Sequence, residues 1–415
     1  NLTFPGTIPQ TANDAPVPSA TGGHDGTLVF TQFTAGAGVI DATMGNGLQF
    51  NNADGVYTFN HNVRLEGTSA AINVINGSDG VLTFADGTIT NTTGTSINFN
   101  GGTANMSFTG LITQTANAQT LLNVANGHTG TLTFRELTAG TGVINATQGN
   151  GLQFNNADGA YNFNSLATFN GTSQAVNVEN GSAGTFASPN AAIAHATGPA
   201  SAVRINGSAP QTFSMAGSID PTAGRPVELT GNTGGSIVFS AGITAMCASN
   251  GILVQNNSGG VNSFSGAVQL NTGGNAGVFI NNNTGGSTSF SNLNITTGLG
   301  DGFAVNNSAG HAVTVTGANN NITTSGGTGL SMTTANVGGA GVNFRSVSTN
   351  GAVNGILLDT VTGGSVNIGG GAVNNGDGGT IQNSIFNAID INNVAGFTLN
   401  RMIITGTNAA FDGIE

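Results

Sequence analysis

The stretch GNGLQFNNADG, Gly45 to Gly55, occurs a second time, letter for letter, at Gly149–Gly159. Two identical segments 104 residues apart are either two sites or two copies of one architectural unit. Shifted by 104, the chain falls on itself without gaps. Between Thr34–Asn60 and Thr138–Asn164, 22 of 27 positions match, the exceptions being 37, 41, 44, 56 and 58. The match runs back to Gln10-Thr-Ala-Asn13 on Gln114-Thr-Ala-Asn117 and to Gly23-His24 on Gly127-His128. It runs forward to Gly67-Thr-Ser69 on Gly171-Thr-Ser173 and fades near residue 184.

A shorter repeat sits inside the long one. A strand opener of the form small–apolar–x–apolar recurs, with its first apolar residue at Leu48, Ile72, Ile97, Leu122, Leu152, Val176, Val203, Val227, Ile252, Val278, Phe303, Leu330, Ile356, Ile389 and Ile414. Fourteen steps cover the 366 residues from Leu48 to Ile414, about 26 residues each, so 104 is four short units. Apolar residues alternate within a unit, as at Leu48 and Phe50, Tyr57 and Phe59, Val63 and Leu65. Period two marks strands with one buried face. Asn, Asp and Gly clusters, which tolerate positive φ and tight turns, separate them.

Three short strands of three to five residues, repeating about every 26 residues, predict an all-β fold: a single right-handed parallel β-helix of roughly 16 rungs. At about 4.8 Å per rung that is a rod on the order of 75 Å long. Residues 1–415 read as one continuous solenoid. Residues 1–184 are the duplicated four-rung unit, and 185–415 are more divergent rungs. A propeller blade needs about 40–50 residues, and the Leu-x-x-Leu-x-Leu unit of leucine-rich repeats is absent.

Openers such as Gly251-Ile-Leu-Val-Gln-Asn-Asn-Ser-Gly-Gly260 and Gly277-Val-Phe-Ile-Asn-Asn-Asn-Thr-Gly-Gly286 are each followed by Ser-Phe-Ser, at Ser263–Ser265 and Ser289–Ser291. Over nearly the whole chain this pattern resembles the Gly/Asn/Thr-rich β-strand-repeat proteins. These are large bacterial surface exoproteins related in architecture to autotransporter passengers and filamentous adhesins. The resemblance implies an exported structural protein and names no activity.

Composition agrees with that class. Gly is 68 of 415 residues and charged residues are 6%, where about 25% is usual. There is no Lys and no Trp; the six basic residues are Arg64, Arg135, Arg204, Arg225, Arg345 and Arg401. A net charge of −12 argues against nucleic acid as partner, since nucleic-acid binders carry a basic stripe. No apolar run approaches the roughly 18 residues of a membrane helix. A lone Cys247 reads as a small buried apolar residue.

The acid of the opening stretch invites a catalytic or metal reading. Glycoside hydrolysis needs paired carboxylates about 5–9 Å apart. Asp54 and Asp158 are four rungs apart, about 19 Å at strand spacing, and no Asp-Asp dipeptide occurs. Adjacent rungs offer few acids at matching turns, so no catalytic residue is assigned. Asp54, Asp158, Asp301 and Asp377 sit in acid–glycine turns and are the weak calcium candidates; turn acids accept backbone N–H groups, and no cofactor is expected. His24 and His128 are equivalent repeat positions, too far apart to share a metal. His61, His195 and His311 have no ligand partner in sequence. Sequons at Asn76, Asn170, Asn180, Asn206 and Asn294 arise by composition. Thr-Leu-Thr at 131–133 suggests an ice-binding hydroxyl row, but Thr-Leu-Val at 27–29 and Val-Leu-Thr at 81–83 break it. Asn51, Asn155, Asn256, Asn281 and Asn306 follow the openers. They are expected either to stack as an amide ladder or to adopt left-handed turns.

Phe4-Pro-Gly6 lies on Phe108-Thr-Gly110, and Gly413-Ile-Glu415 looks like the opening of another strand. That suggests a slice of a longer rod, or subunits stacking end to end. Pro16-Val-Pro18 stands where the second copy has Thr120-Leu-Leu122 and weakens a strand. Gly369–Gly379 reads as a protruding loop. The expected function is an extracellular, cell-surface structural protein: a stalk, sheath or adhesin segment whose partner is itself, end to end or laterally, and whose further ligands are surface glycans. The competing reading is a carbohydrate-binding or pectate-lyase-like, polysaccharide-degrading β-helix.

Overall fold

Each opener becomes a strand because its two apolar side chains share one face, and that face is buried. In the computed structural model, residues 1–33, 38–194, 200–246, 250–370, 376–406 and 411–415 are described. They form two units, Asn1–Thr197 with Gly207–Gly217, and Gly198–Asn206 with Ser218–Glu415. Both are parallel β-solenoids. Among the described residues there is no helix, and the chain makes about 15 turns, close to the expected 16.

In the first unit Leu48, Ile72, Ile97, Leu122, Leu152 and Val176 lie opposite one another in that order on parallel strands. In the second unit Val203, Val227, Ile252, Val278, Phe303, Leu330, Ile356 and Ile389 do the same. Ile414 joins Ile389 through an isolated parallel bridge. One sequence step is therefore one rung. Pro18 occupies the opener position ahead of Leu48. Its strand starts only at Ser19, though the Pro18 carbonyl still accepts from Gln49 N at 3.1 Å.

Two further ladders complete each rung, and here the strands differ from expectation. Some are short, such as Ile72–Ile75. Others turn a corner without a break: Val56–Glu66, Val261–Asn271 and Leu330–Phe344. The register shifts at the corner, between Phe59 and Asn62 and between Phe264 and Ala267. A bulge lets the second strand become the third while the ladder bonds continue on both sides.

The second ladder carries the aromatic core. Phe4, Phe30, Phe59, Phe84, Phe108, Phe134 and Phe163 occupy one inward column. Phe30, Phe59 and Phe84 stack at 4.6 and 4.8 Å between centroids, within 4° of parallel. In the second unit Phe239, Phe264 and Phe290, the last two from the Ser-Phe-Ser segments, repeat the stack at 5.1 and 4.8 Å. Burying each ring contributes on the order of 1.5–3 kcal/mol before cavity effects.

The corner after each opener is set by one left-handed residue, four positions past the first apolar residue. In the first unit it is Asn52, Asn76, Gly101, Asn126, Asn156 and Asn180; in the second, Gly231, Asn256, Asn282, Asn307, Thr334, Thr360 and Asn393. Asn reaches this region at lower cost than other side chains. Glycines of GNGLQFNNADG meet a further demand besides positive φ, which Gly47 also adopts at 63°. A Cβ on Gly47 would stand 2.0 Å from the Ala70 carbonyl oxygen, and one on Gly151 would stand 2.2 Å from that of Ala175. The next rung's backbone fills the space.

Candidate functional site

Alternation along the opener strand sends Leu48 and Phe50 inward and Gln49 outward. The outward position of successive rungs is Gln49, Asn73, Asn98 and Asn123. Their amides join along the stack: Asn73 Nδ2 donates to Gln49 Oε1 at 2.7 Å, Asn98 Nδ2 to Asn73 Oδ1 at 2.8 Å, and Asn123 Nδ2 to Asn98 Oδ1 at 2.8 Å. All four side chains are half-buried.

An amide ladder therefore exists, but not where the sequence suggested. Asn51, Asn155, Asn281 and Asn306 stand three residues past their openers, whereas Asn256 stands four past and is itself the left-handed residue. Asn281 and Asn306 stand opposite each other on adjacent rungs, and Asn256 lies outside that column. Asn51 Oδ1 accepts from Asn76 at 2.8 Å, and Asn306 Oδ1 accepts from the Thr333 hydroxyl at 2.9 Å. A second ladder, inside the core of the second unit, runs Asn232, Asn257, Asn283, Ser308. Asn257 N–H, for instance, donates to Asn283 Oδ1 at 2.8 Å.

The outward ladder floors a groove of about 470 Å³ walled by Pro16, Asn46, Ser69, Ala70 and Thr95. The Ser69 hydroxyl donates to Asn46 Oδ1 at 2.6 Å. Four rungs on, Asn150 and Ser173 repeat that bond beside a second groove of about 460 Å³. Among the described residues, none that lines either groove is charged.

The acids do something else. Asp54 Oδ1 accepts the Asp79 N–H at 3.1 Å, Asp158 Oδ1 the Ala183 N–H at 2.9 Å, and Asp301 Oδ1 the Thr328 N–H at 3.0 Å. In each case the carboxylate holds the turn of the following rung. Asp79, which sequence reading did not place beside Asp54, passes the pattern on, accepting the Thr103 N–H at 2.8 Å and hydroxyl at 2.9 Å. Burial pushes the Asp301 carboxyl above its ordinary value, with the Thr328 N–H pulling the other way. Asp377 lies in a turn at 376–378. Among the described residues no group of three or more His, Cys, Asp or Glu is placed to hold a metal.

The duplicated histidines belong to a network that pattern reading missed. Tyr161 hydroxyl donates to the His128 carbonyl at 2.9 Å and accepts the Gly159 N–H at 3.0 Å. His128 Nε2 meets the Ala104 carbonyl at 2.9 Å. Tyr57 and His24 repeat the contact at 3.1 Å. The signal was available: the chain's two tyrosines both follow their histidine by 33 residues. Burial lowers the His128 pKa and raises that of Tyr161. His311 is also buried, between the Gly285 carbonyl at 2.7 Å and the Thr288 hydroxyl at 2.8 Å, and burial again lowers it. His61 is half-buried. His195 and Cys247, and the middle of the Gly369–Gly379 segment, lie outside the described residues.

The sequons have a turn logic. At Asn76 and Asn180 the Asn is the left-handed residue, and the hydroxyl two positions on is buried. Ser78 accepts the Ala53 N–H at 3.0 Å, and Ser182 the Ala157 N–H at 3.0 Å. Thr133 stands in an outward column with Ser107, Thr83, Thr58, Val29 and Thr3. The neighbouring column, Thr131, Asn105, Val81, Val56 and Thr27, is mixed. Comparison with protein-family models, curated proteins and solved structures finds no match for this chain.

Proposed function

We propose that the chain is a structural segment of an exported surface protein: a stalk, sheath or adhesin fibre associating with copies of itself. The observation that carries this reading is how the repeat uses its reactive-looking groups. Asp54, Asp158 and Asp301 brace the next rung, the phenylalanines stack, and His128 and Tyr161 are buried against backbone. Repetition preserves what holds rung to rung. The openers' resemblance to β-strand-repeat exoproteins supports the same reading and, with it, a location outside a bacterial cell. A surface poor in charge suits lateral packing, and six arginines with no lysine leave few sites for proteases that cut after basic residues.

The test is to express residues 1–415 and image the product by electron microscopy, beside an assay of polysaccharide cleavage on polygalacturonate and neutral glycans. Fibres or bundles without release of new chain ends are expected. Depolymerisation of a polysaccharide by the folded protein would overturn the structural reading in favour of a β-helix lyase or glycosidase.

A further inference from the structure

We infer that the outward face of the opener ladder in the first unit is a binding site for a neutral, extended polysaccharide. The inference does not rest on the fibrous role. It rests on the groove floored by Gln49, Asn73 and Asn98, and on the exact recurrence of its wall, Asn46 with Ser69, as Asn150 with Ser173.

A primary amide has two N–H donors and two acceptor lone pairs. Within the ladder Asn73 and Asn98 each spend one N–H and one lone pair on their neighbours. One donor and one acceptor per rung remain for a ligand, held side by side by the bonds already made. Sugar hydroxyls, which donate and accept at once, suit such a row. Rungs repeat at about 4.8 Å, close to the length of one pyranose unit in an extended chain. A polypeptide strand advances about 3.3 Å per residue and falls out of step. With no charged lining residue and a net charge of −12, an acidic glycan or a nucleic acid gains nothing here.

Among the described residues no aromatic ring lines either groove, so a single groove holds sugar through hydrogen bonds alone and weakly. Duplication compensates. Asn46 and Asn150 lie four rungs apart on one face, about 19 Å at strand spacing, so one polysaccharide chain spans both. Binding to the second groove is then intramolecular.

Affinity electrophoresis tests this. The folded chain is run through native gels containing xylan, mixed-linkage β-glucan, galactomannan or dextran, with polygalacturonate as the acidic control. Retardation by at least one neutral polysaccharide and none by polygalacturonate is expected. Asn46→Ala/Ser69→Ala, which leaves the ladder floor intact, should weaken retardation by roughly tenfold to a hundredfold, as for a two-site contact reduced to one. Adding Asn150→Ala/Ser173→Ala should abolish it. A circular-dichroism melt on each variant separates lost binding from lost fold. Should the wall variants unfold, Gln49→Glu, which keeps shape and adds charge, replaces them and should likewise weaken retardation. No retardation of the parent by any neutral polysaccharide, equal retardation of parent and folded variants, or retardation by polygalacturonate alone would each overturn the inference.

Discussion

The hydroxyl of Tyr161 donates to the carbonyl of His128, 33 residues earlier, at 2.9 Å. It also accepts the N–H of Gly159 at 3.0 Å, so one phenol ties two rungs and its own turn together. Tyr161→Phe leaves both buried backbone groups without this partner and should cost about 1–3 kcal/mol. Tyr57→Phe removes the equivalent group beside the half-exposed His24, where water can replace it, and should cost less. Urea midpoints of the two variants against the parent check the ranking.

Acid should weaken the fold through His128 and His311. Burial holds both below the ordinary histidine value of 6.5, so the unfolded chain takes up protons first. Their contribution is complete above about pH 6.5 and is lost as pH falls below it. Denaturation midpoints at pH 7.5 and pH 5 should differ, and the difference should shrink in His128→Asn/His311→Asn. An unchanged difference would assign the acid response to other groups.

Phe59 is stacked between Phe30 and Phe84. Phe59→Ala opens a cavity in the middle of the column and should cost about 3–5 kcal/mol; Phe59→Leu, which fills most of it, should cost clearly less. Chemical denaturation of the two variants tests the column.

Asn256 adopts a φ of 57° at the corner past its opener. Replacement by Ala should cost about 1–2 kcal/mol, the price of forcing a Cβ-bearing residue without an Asn-type side chain into the left-handed region. Replacement by Gly should be nearly neutral. Equal losses for Ala and Gly would mean that the side chain, not the backbone angle, selects Asn here.

Asp301→Asn keeps the Oδ1 acceptor for Thr328 and removes a charge that burial disfavours. A raised carboxyl pKa means the native state is favoured by protonation: that stability is present below about 3.8 and is lost as pH rises through the folded value. The variant should therefore melt higher than the parent at pH 7, with the gain fading toward pH 3.5. Calorimetry at the two pH values measures it.

Legibility followed the chemistry of each position. The opener residues were readable because apolar residues at every second position have one low-energy use, burial on one strand face, and each opener pairs with its neighbour a step away. The amide ladder was misplaced because Asn is chosen twice over, once at the left-handed corner and once on the outward row. Residue type alone cannot separate Asn76, at a corner, from Asn73, on the outward row. Asp79 escaped notice because it stands seven residues past its opener while Asp54 stands six past, and only the turn's geometry brings them together.

By itself, then, the sequence determined the all-β solenoid, its rung length and the residues of its core, because periodic burial is a property of spacing alone. Only the tertiary structure decided which polar groups face each other. Hydrogen bonds such as Asn73 to Gln49 and Tyr161 to His128 depend on register and corner angle to within an ångström. Those angles are set by neighbouring rungs 24 to 33 residues away, beyond the reach of any local pattern. GNGLQFNNADG shows both sides of the division. Its Leu and Phe declare a core strand at sight, while its Gln became the floor of a groove, and its Asp the brace of the next turn, only once the rungs were stacked.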